Sequence, residues 1–466
     1  MKNFSSQSLP QDFLNNIKNL LSQSDYDSFL NSYNKHHYKG IRVNTLKTDS
    51  VTLKSLLNFT LTNSPFCNDG FYIPYDTKNL GKSPLHHCGA FYVQEPSATS
   101  AVTVLDVKPY DKVLDLCSAP GGKSTQIACN LQNTGLLVSN EIVKTRANIL
   151  LSNIERMGVA NCIVTNSHPD KLCNNFIGFF DKILVDAPCS GEGMFRKDTS
   201  AIEQWSFEHS QMCGVRQLEI LESASIALKL GGVMVYSTCT FSAQENEMVI
   251  QNFLNKHKEF SLIDCGVSFG RPALDKAIRI MPMDGGEGHF IAKLLKTDNT
   301  ITKNENFYTS TSKRKSTNKK SNIKDTDKNI ISSALKLYDE ITTNRFLGDN
   351  LIINADKIYI VPQDAPNTQN INVIRLGVLF GEIKKNRIEP CHAFFTCGNK
   401  NDFKNSINLD FNDSNAYNFL LGQEINIDNN IKGYTAVCIN NMTVGFGKAT
   451  NGVLKNKYPK GLRNLK

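Results

Sequence analysis

The sequence predicts an α/β protein built around a doubly wound parallel sheet, with a small α/β module before it and a β-rich region after it. Three observations predict this. Between residues 100 and 296, apolar strand-like runs alternate with helical periodicity. Within that span Ile183–Asp186 is a short apolar run ending in an acid, then broken by Pro188, Gly191 and Gly193. Farther on, Val233–Ser237 repeats the shape and runs into Thr238-Cys239-Thr240. Each of these strands presents a cysteine, Cys189 or Cys239, beyond its C-terminal end. In open α/β sheets ligands bind at that edge.

A chain of 466 residues exceeds one ordinary core. Four segments are expected: an N-terminal α/β module (1–99), the main domain (100–296), a basic flexible linker (297–329) and a C-terminal β-rich region (330–466). Lys and Arg total 52 against 44 acids, a net charge of +8, which permits a nucleic-acid partner without requiring one. The start of the chain carries no charged-then-apolar leader and no run is long enough to span a bilayer, so a cytoplasmic protein without a membrane partner is expected. The 13 cysteines are scattered without a C-x-x-C pair, so no metal is expected.

In chain order, Phe13, Ile17 and Leu20 fall at helical spacing, and Phe29, Leu30 and Tyr33 follow as a second helix. Ile41–Asn44 and Phe71–Ile73 read as strands, Thr52–Leu57 as a helix, and Gly89–Ser97 as an aromatic strand ending in a polar turn. In the main domain Val113–Leu116, Leu136–Asn140 and Cys162–Thr165 are strands, with a helix from near Lys123 and another over Arg146–Met157 closed by Gly158. A helix over Gln217–Leu230 stops at Gly231-Gly232, and His289–Leu294 is a late strand. Residues 297–328 are Asn, Lys, Ser and Thr with few apolar side chains. Beyond them Leu351–Ile353, Ile358–Val361 and Val373–Leu379 are apolar runs expected to form one or two small β modules. The tail from Gly452 has five basic residues and no acid.

Asp115-Leu116-Cys117-Ser118-Ala119-Pro120-Gly121-Gly122-Lys123 is a strand–turn–helix junction whose glycines allow close backbone approach to a ligand. A phosphate-binding loop is excluded, because Cys117 stands where its first glycine belongs, and the dinucleotide fingerprint is absent. A nucleoside-type cofactor remains, with Glu141 at the end of the next strand placed to accept ribose hydroxyls. Alone, this turn could equally be structural; beside two thiols it reads as a site. A thiolate adding to carbon 6 of a pyrimidine activates carbon 5 toward a sulfonium methyl. An acid such as Asp186 would offset charge developing at the ring. Spacing does not say whether Cys189 or Cys239 attacks.

Asp186-Ala187-Pro188-Cys189-Ser190-Gly191-Glu192-Gly193 and Tyr236-Ser237-Thr238-Cys239-Thr240 are similar to the two signature motifs of the Nop/Sun family of RNA cytosine-5 methyltransferases. Ala119-Pro120-Gly121-Gly122-Lys123 resembles that family's S-adenosylmethionine motif. The resemblance implies a class I methyltransferase fold with Cys239 as nucleophile, Cys189 assisting release and Asp186 at the base. It implies cofactor contacts from the Cys117–Lys123 turn, Glu141, Arg146 and Asp186. Arg42–Lys47, Tyr92–Ser97, Gly286–Phe290, Asn386–Pro390 and Leu454–Arg463 resemble the bacterial, RsmF-type rRNA branch, whose C-terminal region is PUA-like. This extends the likeness over nearly the whole chain and implies that both flanking regions bind RNA. Where the family places an acid for the adenine, this chain has Asn166-Ser167-His168-Pro169-Asp170, with His168 at that place and Asp170 two residues later. Met281 and Phe446 stand where tryptophan is expected.

The expected activity is therefore S-adenosylmethionine-dependent methylation of a cytosine in rRNA by a monomer, the rRNA lying in a ribosomal subunit or its precursor. The alternatives are a tRNA substrate, or an RNA-binding assembly factor without catalysis, against which the two intact cysteines count.

Overall fold

The computed structural model describes residues 9–297, 325–385 and 387–463. Two amphipathic helices come first, α1 (Gln11–Leu20) and α2 (Gln23–Ser32), the second capped by Ser22 accepting from the Asp25 amide. Their apolar faces do not join the module that follows. Phe13 and Phe29 pack instead on Phe195, Phe241 and Met281 of the main domain, with Phe13 and Phe195 centroids 5.0 Å apart. Met281, where tryptophan was expected, is fully buried in this cluster, and Trp205 lies against it. The module itself contains β1 (Gly40–Val43), α3 (Ser50–Leu56), β2 (Thr62–Asn63), β3 (Gly70–Tyr72), α4 (Pro84–His87) and β4 (Phe91–Val93). Its strands form a sheet in the order β2-β3-β1-β4.

The main domain opens with α5 (Ser100–Leu105) and β5 (Lys112–Asp115), then α6 (Gly122–Leu131), β6 (Leu136–Asn140), α7 (Lys144–Arg156), β7 (Cys162–Thr165), α8 (Pro169–Asn175) and β8 (Phe180–Asp186). It continues through α9 (Thr199–Gln204), α10 (Phe207–Ala227), β9 (Leu228–Thr238), α11 (Glu247–Lys256), β10 (Phe260–Ile263), β11 (Arg271–Pro272), β12 (Ile278–Ile280) and β13 (His289–Lys296). Strands β7-β6-β5-β8-β9 are parallel neighbours, and β13 runs antiparallel beside β9. Helices cover both faces, so the core strands bury apolar side chains on both. The chain order reverses between β5 and β8, and the carboxyl ends there form the crevice at which such folds bind ligands. The helix expected over Gln217–Leu230 starts earlier and ends at Ala227, because Leu228 and Leu230, which continue its apolar pattern, already belong to β9.

The C-terminal region begins with α12 (Asp325–Ile341), which starts inside the segment read as linker; its all-polar first turn gave no helical signal. The rest of that linker, 298–324, lies outside the described residues, as does the tail beyond Arg463. There follow β14 (Leu351–Asn354), β15 (Lys357–Ile360), β16 (Val373–Leu376), β17 (Val378–Lys384), β18 (Arg387–Pro390) and α13 (His392–Thr396). The last unit holds β19 (Ser406–Leu409), α14 (Ser414–Leu420), β20 (Ile425–Asn426), β21 (Gly433–Ile439), β22 (Met442–Thr450) and β23 (Val453–Asn456). Two small sheets form, β14-β15-β17-β18 and β19-β21-β22-β23-β20. Phe446 stacks on Phe395 at 4.3 Å, so this ring replaces the expected tryptophan by ordinary aromatic packing. One strand was not expected where it is: β16 leaves the C-terminal region and pairs antiparallel with β7 at the edge of the main sheet.

Candidate active site

Parallel pairing sets Asp186 opposite Ser237, so β8 and β9 end level and their next residues leave the same edge. Pro188 and Gly191 (φ +75°) turn the first chain back, and the sulfurs of Cys189 and Cys239 come to 3.3 Å. Gly193 is required by close approach: a Cβ there would meet the Cys239 carbonyl at 2.8 Å, and the Gly193 amide donates to that carbonyl at 2.8 Å. The buried Glu192 accepts the Phe241 amide at 2.8 Å. In return Glu245, behind Cys239 in the chain, accepts the Ser190 amide at 2.9 Å and the Ser190 hydroxyl at 2.5 Å.

Asp186 receives Nζ of Lys123 at 2.8 Å and the Ser237 hydroxyl at 2.8 Å. Burial pushes its carboxyl up, but the Lys123 charge, with those hydrogen bonds, holds it below the usual carboxylate range. Burial likewise opposes the charge on Lys123, and Asp186, then Cys239 and Asp115, raise it above an ordinary lysine. His289 is pushed down to about 4 by burial and by Lys123, so it is neutral. The Cys189 thiol is pushed well up, first by its hydrogen bond with Cys239, then by burial and by the charges of Cys239 and Glu245.

On the other side of the crevice, Gly121 (φ +113°) opens α6 after the Cys117–Pro120 turn. Glu141 is 3% exposed and accepts the Val143 amide at 2.9 Å; its second oxygen is 3.2 Å from Arg146, which also donates to the Ala119 carbonyl at 2.9 Å. A cavity of about 1040 Å³ joins the two sides, lined among others by Cys117, Ala119, Glu141, Arg146, Asp186, Cys189 and Cys239. Ser118, Pro120, Gly121, Gly122 and Lys123 do not line it. Lys123 acts through Asp186, and Ser118 is buried, donating to the Asp115 carbonyl at 2.7 Å. A Cβ on Gly121 would meet Leu150 at 3.2 Å, and one on Gly122 would meet Gln94 at 3.1 Å and Tyr92 at 3.2 Å. Both His168 and Asp170 line the cavity, 3.4 Å apart.

Sequence reasoning did not single out Glu192, Glu245, His289 or Asp115. Asp115 is fully buried, pushed up to about 7 by burial, with one oxygen taking the Ser124 hydroxyl at 2.6 Å and the other unpartnered. Its position as the last residue of β5, matching Asp186 on β8, was the available signal. Among the described residues no cluster could hold a metal ion. The Arg42–Lys47 segment is structural: Arg42 is buried and donates to Thr125 at 2.7 Å on α6, and Asn44 donates to the Met157 carbonyl at 2.8 Å.

Residues 102–295 match the family described as 16S rRNA methyltransferase RsmB/F. Residues 9–96 match the N-terminal domain of 16S rRNA methyltransferase RsmF, 338–397 its first C-terminal domain, and 406–464 its PUA domain. Ribosomal RNA small subunit methyltransferase F of Vibrio vulnificus is 32% identical over 469 residues, spanning 97% of each chain. The chain belongs to the ribosomal RNA small subunit methyltransferase F family. The Shewanella putrefaciens methyltransferase F is 31% identical over 97% of this chain and 96% of its own. A solved methyltransferase homologue from Pyrococcus horikoshii, 29% identical, superposes with a TM-score of 0.53 over 62% of this chain and all of that one. Methyltransferase F membership makes the activity a methyl transfer and RNA the class of substrate.

Proposed function

We propose that this methyltransferase F family member methylates carbon 5 of a cytosine in small-subunit rRNA through a covalent adduct with Cys239. The observation that carries the reading is the pair of sulfurs 3.3 Å apart on the wall of the cavity that Glu141 and Asp186 also line. S-adenosylmethionine fits the residues present and, when bound, supplies an electrophilic sulfonium methyl. Glu141 lines the cavity, and Arg146, 3.2 Å from one of its oxygens, holds its carboxylate in place for ribose hydroxyls.

Cys239 loses its proton and adds to carbon 6 of the flipped-out base, which raises electron density at carbon 5. Asp186, fixed by Lys123 and Ser237, accepts from the exocyclic amine of the base and so orients the ring for attack. Once carbon 5 is methylated its proton passes to solvent water and the carbon 6–sulfur bond breaks, returning Cys239 and restoring the ring. Cys189 stays protonated and serves release. The flanking modules hold the folded RNA, with a salt-dependent contribution from the +8 net charge. The enzyme works as a cytoplasmic monomer on a ribosomal subunit or its precursor; among the described residues no helix is long and apolar enough to cross a membrane.

Bisulfite sequencing of RNA from a deletion strain and its parent tests the substrate. The expected result is a protected cytosine in small-subunit rRNA that becomes convertible on deletion. Loss of protection only in tRNA would transfer the activity to tRNA, and no change in any RNA would overturn the proposal.

A further inference from the structure

We propose that Glu192 and Glu245 form a reciprocal clasp that positions the two thiols, each carboxylate rooted in the loop of one cysteine and gripping the backbone of the other loop. The inference rests on the two-cysteine mechanism above and concerns what keeps the sulfurs at reacting distance. Glu192 lies three residues after Cys189, and its two oxygens are divided: one accepts the Phe241 amide at 2.8 Å, two residues beyond Cys239, and the other accepts the Trp205 indole N–H at 3.0 Å. Glu245 lies beyond Cys239 and points back. One oxygen accepts the Ser190 amide at 2.9 Å and the Gln217 side chain at 3.0 Å; the other accepts the Ser190 hydroxyl at 2.5 Å and the Ser210 hydroxyl at 2.8 Å. The Ser190 and Thr240 hydroxyls, 3.0 Å apart, and the Gly193 amide on the Cys239 carbonyl close the joint between the grips.

These are positioning residues. Neither lines the cavity, so neither touches substrate or cofactor. Both are buried, Glu192 at 1% and Glu245 at 0% exposure, and these donors are all neutral. A buried carboxyl is costly unless its acceptors are filled, and here every oxygen is filled by a group whose place fixes a cysteine-bearing loop. Glutamine has one acceptor oxygen where glutamate has two, so it cannot hold both donors of Glu192 or all four of Glu245 without a clash of donors. Without the clasp the β8 and β9 ends stay level, but the residues beyond them are free to part. A displacement of about 1 Å at reacting groups can cost about a hundredfold in rate.

The test uses the full chain and Glu192→Gln and Glu245→Gln separately. Phenylarsine oxide reads sulfur spacing directly, since two thiols that both reach one arsenic form a dithioarsenite with loss of water, without RNA or cofactor. Capture by the native chain that Cys239→Ala abolishes identifies the pair. Each glutamine variant is expected to lose about tenfold or more in capture, and to slow single-turnover methylation about a hundredfold with its RNA-concentration dependence unchanged. Melting temperature and S-adenosylmethionine affinity at native values separate clasp loss from unfolding. Should one variant fail to fold, the other, acting from the opposite loop, still decides. Native capture and native rates in both variants would overturn the clasp while leaving the function standing; capture lost in the variants, with no methylation by the native chain itself, would overturn the function and leave the clasp.

Discussion

Lys123 sets the charge beside the ends of β8 and β9. It bonds Asp186 at 2.8 Å, and burial alone would push that carboxyl up. A carboxyl held down in the fold contributes stability above its unfolded value of 3.8, lost as pH falls through the folded value. Removing Lys123 reverses the balance. Lys123→Met is therefore expected to move the acid limb of the single-turnover pH–rate profile upward and to lower the plateau about a hundredfold; an unmoved limb would separate Lys123 from Asp186. At this scale Asp186, Cys189 and Cys239 could be read from sequence, because a buried strand ending in a proline–glycine turn leaves its next side chains at the sheet edge whatever else the chain does. Glu192 and Glu245 could not, since a carboxylate in a turn reads as solvated until two loops meet over it. The glycines of the Cys117–Lys123 turn were legible as a close approach, but what approaches Gly121 and Gly122 is Leu150, Tyr92 and Gln94 of the protein itself.

Elements far apart in the chain carry the site. Helices α1 and α2 brace Phe195 and Phe241, which follow the two cysteines. Strand β16 pairs with β7, the Asn372 amide donates to the Ser167 hydroxyl at 3.1 Å, and the Asn166 amide donates to the Asn372 carbonyl at 2.9 Å. Those contacts steady the loop that brings His168 and Asp170 to the cavity. The apolar run Val373–Leu379 reads as part of a β module, but the partner of its first part, β16, lies some two hundred residues earlier, and no local pattern encodes that. A chain ending at residue 297 is accordingly expected to bind S-adenosylmethionine more weakly than the full chain, and to self-associate through the bared β7 edge. Calorimetry and light scattering measure both; a monodisperse fragment with full affinity would show that β16 is dispensable.

The two ends of the chain close on each other. Ile41, Val43 and Phe71 of the N-terminal sheet share a core with Phe419, Val437 and Met442 of the last unit, and Lys47 donates to the Cys88 and Thr443 carbonyls at 2.8 and 2.9 Å. At this joint His87 lies 2.9 Å from the Tyr458 hydroxyl and the His392 ring 5.4 Å from the Tyr458 ring. Burial lowers the first histidine to about 4 and the second to about 3 from 6.5. The stability they contribute is complete above 6.5 and lost as pH falls toward those folded values. Glu192 and Glu287, raised by burial to about 7 from 4.5, act in the opposite sense, losing their contribution as pH rises through 7. The comparison that isolates the joint is thus between chains: between pH 7.5 and pH 5, about one unit beyond the histidine window on the high side, His87→Gln/His392→Gln should lose less urea stability than the native protein. Equal losses would remove these histidines from the joint.

The covalent step is tested most directly by a denaturing gel of native, Cys189→Ala and Cys239→Ala proteins with target RNA, with and without S-adenosylmethionine. Cys189→Ala is expected to accumulate a denaturant-resistant protein–RNA complex when cofactor is present, because attack and methylation proceed while release stalls. Cys239→Ala is expected to give neither adduct nor methylated RNA. An adduct in the Cys239 variant and none in the Cys189 variant would reverse the two roles, and full activity without an adduct in either would contradict the covalent mechanism.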